Sequence, residues 1–284
     1  MAQDPRQRPC ADGAGSRAKP VTSLTDLACE VLNTAKPSEK VRLTYRYAQM
    51  WRAGEISEIG DRTPPHRPAR PANPVLCSPG DMPKRSTGGG KRRINLIHAI
   101  AHIELNAIDL GWDAVARFAP LNLPKAFYDD WVQVAEDEAR HFEMLEKRLH
   151  ELDAAYGDLP AHDGLWEAAM NTADDVLARM AVAPMLLEAR GLDTTPGTVK
   201  RLRANGDHAT ADIMEQIGDE EISHVAAGVR WFEHVCAQRQ LDPVPTFKNL
   251  VVTRFKGQIK PPFNTQARDQ AAMAPAYYLT AAKT

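Results

Sequence analysis

Along most of the chain, apolar residues recur every three or four positions, and the stretches between are rich in proline, glycine and charge. Regular structure is therefore expected to be helical. Four long apolar stripes predict helices over about 92–118, 125–156, 165–190 and 208–240. Pro120 and Pro124 separate the first two, and the segment GDLPAHDG ends the second. Gly191 is expected to end the third, with Thr195 and Pro196 as cap and first-turn residue of a further segment. Pro184 removes a backbone hydrogen bond inside the third stripe and predicts a bend or local bulge one turn before Glu188. Short links within each half and a longer one between halves give an all-α four-helix bundle, two helical hairpins joined by a crossover, over 91–240.

The flanks read differently. Residues 1–22 are polar, small and basic, and are expected to be disordered. Over 23–60 two short helices should pack on the bundle, one capped by Ser23 and the next introduced by Ser38. The proline- and glycine-rich 61–90 should be an extended connection, lying on the surface or covering an entrance to the core. An irregular C-terminal tail, 241–284, carries Phe247, Phe255, Phe263, Tyr277 and Tyr278. It has enough apolar material to pack on the bundle or to join a second copy as a homodimer, and both remain open.

The apolar stripes contain charges that they should not tolerate alone. Glu138 and His141 lie on the same face as Trp131, Val134, Ala135, Phe142, Leu145 and Leu149. Glu221 and His224 share a face with Met214, Ile217, Val225, Gly228 and Phe232. Each E-x-x-H pair has a lone glutamate upstream: Glu104 precedes Glu138 by 34 positions and Glu188 precedes Glu221 by 33. Both lone glutamates sit on apolar lines of their own. Four carboxylates in a helical core without a cation would cost several kcal/mol each or take up protons until neutral. Four carboxylates and two imidazoles from four helices form the ligand set of a dinuclear iron or manganese centre. His98 and His102 fall off the face of Glu104, so surface or supporting positions are expected for them.

Composition narrows the function classes. The net charge of −2 gives no global drive toward nucleic acid or membrane. Cys10, Cys29, Cys77 and Cys236 form no C-x-x-C pair, which argues against a zinc ribbon or a rubredoxin-like iron site. No apolar run reaches the roughly 18 residues that span a bilayer. A cytoplasmic protein with reduced thiols and no membrane partner is expected.

The stretches AHIELNAIDL, AEDEARHF, LLEARGLD and DEEISHVAAG resemble the metal-binding segments of ferritin-like di-iron carboxylate proteins. With DLPAHDGLWEA and KGQIKPPFN they look like the bacterial ferritin-like family known as domain of unknown function 455. AHIELNAIDL and EARHF are also similar to the tRNA hydroxylase branch. The resemblance implies a ferritin-like bundle with Glu104, Glu138, His141, Glu188, Glu221 and His224 as metal ligands. Asp137-Glu138-Ala139-Arg140-His141 matches the D-E-x-R-H form of bacterial di-iron monooxygenases, in which the aspartate and arginine support the ligands. The fourth helix departs from that form, with Glu220 for the aspartate and Ser223 for the arginine. An exchange in which Asp137 holds His224 and Glu220 holds His141 is expected across the bundle.

Oxygen and imidazole donors in this number suit two iron ions, or manganese or a mixed iron and manganese pair, better than zinc. The leading expectation is an oxygen-dependent di-iron oxidoreductase, a hydroxylase or oxidase. It would need oxygen, an electron donor and a small-molecule or modified-nucleoside substrate. The alternatives are a ferroxidase or other iron-handling protein and a non-catalytic bundle tied together by metal. RNA is not the expected partner, because KRR at 91–93 and RLR at 201–203 lack interleaved aromatics.

Overall fold

In the computed structural model, residues 22–255 and 259–279 are described, so the expectation of disorder over 1–22 lies almost wholly outside them. Helix α1 (Leu24–Leu32) starts at Ser23 with a reciprocal cap. The Asp26 backbone N–H donates to the Ser23 hydroxyl at 3.2 Å, and the Ser23 N–H donates to the Asp26 carboxylate at 3.1 Å. Helix α2 (Pro37–Arg52) begins before Ser38, correcting that expectation. Pro37, with its φ already helical, takes the first helical position, and Ser38 caps nothing.

Helices α3 (Lys91–Arg117) and α4 (Lys125–His150) form the first long hairpin. Helix α4 stops at His150, short of the expected Tyr156. Left-handed Asp153 (φ 55°) turns the chain back there, and Tyr156 reaches α3 with its hydroxyl 2.8 Å from His102 Nδ1. His98 and His102 are consequently buried, which corrects a surface placement. They face Tyr156, away from Glu104.

The third stripe is not one helix over 165–190. It forms α5 (Gly164–Met170), a break, α6 (Val176–Val182) capped by Asp175, a π-helical segment (Ala183–Glu188) and α7 (Ala189–Ala204). The bulge expected at Pro184 is this π segment. The helix runs through Gly191, expected to end it, and through Thr195 and Pro196, expected to start a separate segment. Leu192, Val199 and Leu202 are buried along α7, which packs lengthwise on α8 (His208–Gln238), and Pro196 forfeits only one donor. The helix ends at Asn205 and left-handed Gly206.

The tail is not irregular either. It forms α9 (Pro243–Arg254), α10 (Thr265–Gln270) and α11 (Pro275–Tyr278), with Asp242 and Asn264 capping the first two. Helix α9 packs on α6 and α8, and α10 on α7 and α8.

Helix α4 lies against α8, which brings the two hairpins together, while α1 covers α3 and α2 covers α4. One hydrophobic core runs through α1–α4 and α6–α11, while Trp166 and Ala169 of α5 pack with Leu110 and Ala183 in a second, small cluster. Over 61–90 the chain makes one 3-10 turn, Pro79–Asp81, and is otherwise irregular, with bends and a bridge from Leu76 to Ala161. Arg70 anchors it to Asn106 and Asp109, on the face of α3 opposite Glu104, so this anchor does not cover the carboxylate core. Among the described residues no strand forms, and no helix is long and apolar enough to cross a membrane.

Candidate metal centre

Four helical stretches each contribute to one buried cluster: Glu104 from α3, Glu138 and His141 from α4, Glu188 from the end of the π segment, and Glu221 and His224 from α8. Ligand atoms of Glu104, Glu138, His141 and Glu221 lie within 4.8 Å of one another, and so do those of Glu188, Glu221 and His224. Glu221 belongs to both groups. Glu138 also reaches both imidazoles, with Oε2 3.4 Å from His141 Nδ1 and Oε1 3.2 Å from His224 Nδ1. The arrangement is therefore two half-sites sharing Glu138 and Glu221, with Glu104 at one end and Glu188 at the other.

Both rings are oriented the same way. Nδ1 of His141 and of His224 faces the inner carboxylates, whereas each Nε2 is held by an outer one. His141 Nε2 lies 2.8 Å from Glu220, and His224 Nε2 lies 3.3 Å from Asp137. Both exchanged pairs are present across the bundle. A carboxylate on the far nitrogen fixes the tautomer that leaves the inner nitrogen free as a ligand.

Arg140 ties the outer pair together, donating at 2.6 Å to Asp137 and at 2.6 Å to Glu220. One guanidinium serves both carboxylates, so Ser223 need not be an arginine. Ser223 instead donates to the Glu220 carbonyl. Sequence reasoning missed Gln133, which donates to Asp137 at 3.0 Å. Its position one turn before Asp137 was the available signal.

The electrostatics of the cluster are those of a site short of positive charge. Burial and then the neighbouring Glu138 push the Glu104 carboxyl well above its usual range. Burial and Glu221 do the same to Glu188. Burial disfavours charge on His141, but Glu104, Glu138 and Glu220 outweigh it and push its pKa up to about 12. Burial likewise opposes charge on His224, where Glu221, Asp137 and Glu138 prevail. The hydrogen bond from His141, aided by Arg140 against partial burial, holds Glu220 down at about 2.

Hydrogen bonding does not satisfy the cluster. Among the described residues, both Glu138 oxygens, Glu188 Oε2, Glu221 Oε2 and His224 Nδ1 are buried without a hydrogen-bond partner. The 3.2 Å approach of His224 Nδ1 to Glu138 is short enough but poorly aligned. Native interiors rarely leave so many polar atoms unpaired in one place. A pair of cations would meet all five.

The helix is shaped to bring Glu188 in. A π turn adds one residue to the helical circuit and so changes the direction in which the next side chains point. Pro184 starts that turn because it cannot donate. Its ring fits against Gly228 of α8, where a Cβ would stand 2.4 Å from the proline Cγ. A small cavity of about 10 Å³ lies beside Glu188, bordered by Ala107, Gly111, Trp131, Ala183 and Pro184.

Similarity to known proteins extends over all of these elements. The chain is 39% identical over 256 residues to an uncharacterized protein of Haemophilus influenzae (strain ATCC 51907 / DSM 11121 / KW20 / Rd), covering 84% of this chain and 87% of that protein. No solved structure matches. The family described as Protein of unknown function (DUF455) matches residues 33–279, and the chain belongs to that family.

Proposed function

We propose that the chain is a ferritin-like four-helix bundle that holds two iron ions, or manganese in one or both positions, and acts as an oxygen-dependent oxidoreductase. The observation that carries this reading is the set of five unpartnered buried atoms, from Glu138, Glu188, Glu221 and His224, within two groups of candidate ligands that meet at Glu221. Glu104 and His141 would hold one ion, and Glu188 and His224 the other. Glu138 and Glu221 would be available to both. Two such ions supply two-electron reduction of oxygen or peroxide coupled to oxidation of a bound molecule.

The remaining work belongs to the chain. Glu220 and Asp137 keep each Nδ1 pointing inward, and Arg140 holds both carboxylates in place and offsets their charge. Water is kept out by the apolar faces of α3, α4 and α8. The cavity beside Glu188 has room for about one water-sized molecule, which suits a small oxidant. Glu220 is partly exposed and bonded to His141, so the side of α8 near Arg140 offers a polar route from solvent to the cluster.

The test is oxygen uptake by the iron-loaded, reduced protein. Consumption that disappears in Glu138→Ala supports an oxidoreductase. Stable iron binding without consumption would leave a purely structural centre.

A further inference from the structure

The C-terminal tail closes a second pocket, against the π segment and the start of α7. Its floor is Met185, Leu186 and Leu187, the residues just before Glu188, and Phe255, Phe263 and Met273 form apolar walls. The volume is about 100 Å³, the order of size that admits a single six-membered ring.

Two features of the lining call for a polar ligand group. Tyr278 is fully buried there, and its hydroxyl has no hydrogen-bond partner among the described residues. The charges are also unequal, with Arg190, Lys260 and Arg268 facing one acid, Asp193. Asp193 is occupied by Arg268, which donates to it at 2.9 and 2.8 Å. The same guanidinium lies 4.5 Å above the Tyr278 ring. Arg190 donates to the carbonyls of Lys260 and Pro262 at 2.9 and 3.1 Å and lies 3.7 Å from Asp193, so two guanidiniums share the single acid. Lys260 is exposed and has no acidic partner among the described residues.

A carboxylate answers both features, since it accepts from the tyrosine hydroxyl and offsets the excess positive charge. The apolar walls require the rest of the ligand to be compact and hydrophobic. We infer that this pocket binds a small aromatic carboxylate, one helix wall away from the glutamate cluster. The inference does not depend on metal in the cluster.

Benzoate titrated into the full-length protein, both as purified and after chelation, tests it by calorimetry. Saturable binding of one benzoate per chain is expected in both samples, with benzylamine at least tenfold weaker. Tyr278→Phe should weaken benzoate binding by about tenfold or more, the loss of one hydrogen bond to a charged group. Met273→Trp should abolish it by filling the pocket. If that variant fails to fold, the exposed Lys260→Glu should weaken binding in its place. Absence of saturable binding, equal affinity for benzylamine, or benzoate affinity unchanged in folded Tyr278→Phe would each overturn the inference.

Discussion

Pro184 rests on Gly228, and nothing larger than a hydrogen fits between them: a Cβ on Gly228 would stand 2.4 Å from the proline Cγ and 2.5 Å from its Cβ. Gly228 shares the face of α8 that carries Glu221 and His224, so the contact couples the π segment to the cluster.

Gly228→Ala should therefore overpack this junction and destabilise the fold by about 1–3 kcal/mol. The pair Gly228→Ala with Pro184→Ala should recover part of the loss, because the two residues share one contact. Urea denaturation of the four proteins measures both. Strict additivity would show that the contact carries no such strain.

The outer carboxylates should matter for metal affinity without being ligands. Glu220→Gln and Asp137→Asn are each expected to weaken metal binding by roughly 10- to 100-fold, as removal of a histidine's supporting carboxylate commonly does. Competition with a chelator of known affinity gives the value. An effect as complete as that of Glu138→Ala would make the outer residue a ligand itself.

Asp207 caps α8 by accepting from the Thr210 N–H at 3.1 Å and is paired with Arg148 at 2.9 Å and Arg93 at 3.2 Å. Partial burial raises its pKa, but these partners win and the net direction is down. A carboxylate with a depressed folded pKa adds stability that is full above its unfolded value near 4 and is lost as pH falls through the folded value. Asp207→Asn should consequently be less stable than the parent at pH 7, with the gap narrowing below about pH 4. Thermal melts across pH decide it. A gap independent of pH would mean that the charge contributes nothing.

Buried Asp109 takes both Lys40, itself buried, and Arg70 from the extended segment. Removing it leaves two cations uncompensated, so Asp109→Ala should cost about 3–5 kcal/mol. Arg70→Ala should cost less and make the 61–90 segment more open to proteolysis. Unchanged cleavage within 61–90 would mean that Arg70 is not its anchor.

Much of the site was legible from spacing. Helical periodicity puts Glu104, Glu138, His141, Glu221 and His224 on inward faces, whereas Glu188, also on an apolar stripe, is brought in by the π segment. Asp137 and Glu220 were readable as neighbours of the E-x-x-H pairs. What the sequence concealed depended on tertiary contacts. Gly191 looks like a helix stop and Thr195-Pro196 like the start of another helix, yet packing of Leu192, Val199 and Leu202 carries α7 through them. His98 and His102 look peripheral until the turn at Asp153 returns Tyr156 to α3. The short helices of the tail depend on caps at Asp242 and Asn264, signals too local to stand out in a proline-rich stretch.

The most direct test of the central claim is metal stoichiometry. Metal-free protein is titrated anaerobically with ferrous iron, freed of loosely held ions and assayed for iron per chain. Two ions per chain are expected, with retention largely lost in Glu138→Ala, since that glutamate faces both imidazoles. No retained iron in the parent chain, or the same retention in Glu138→Ala, would contradict the assignment of this cluster as a dinuclear metal centre.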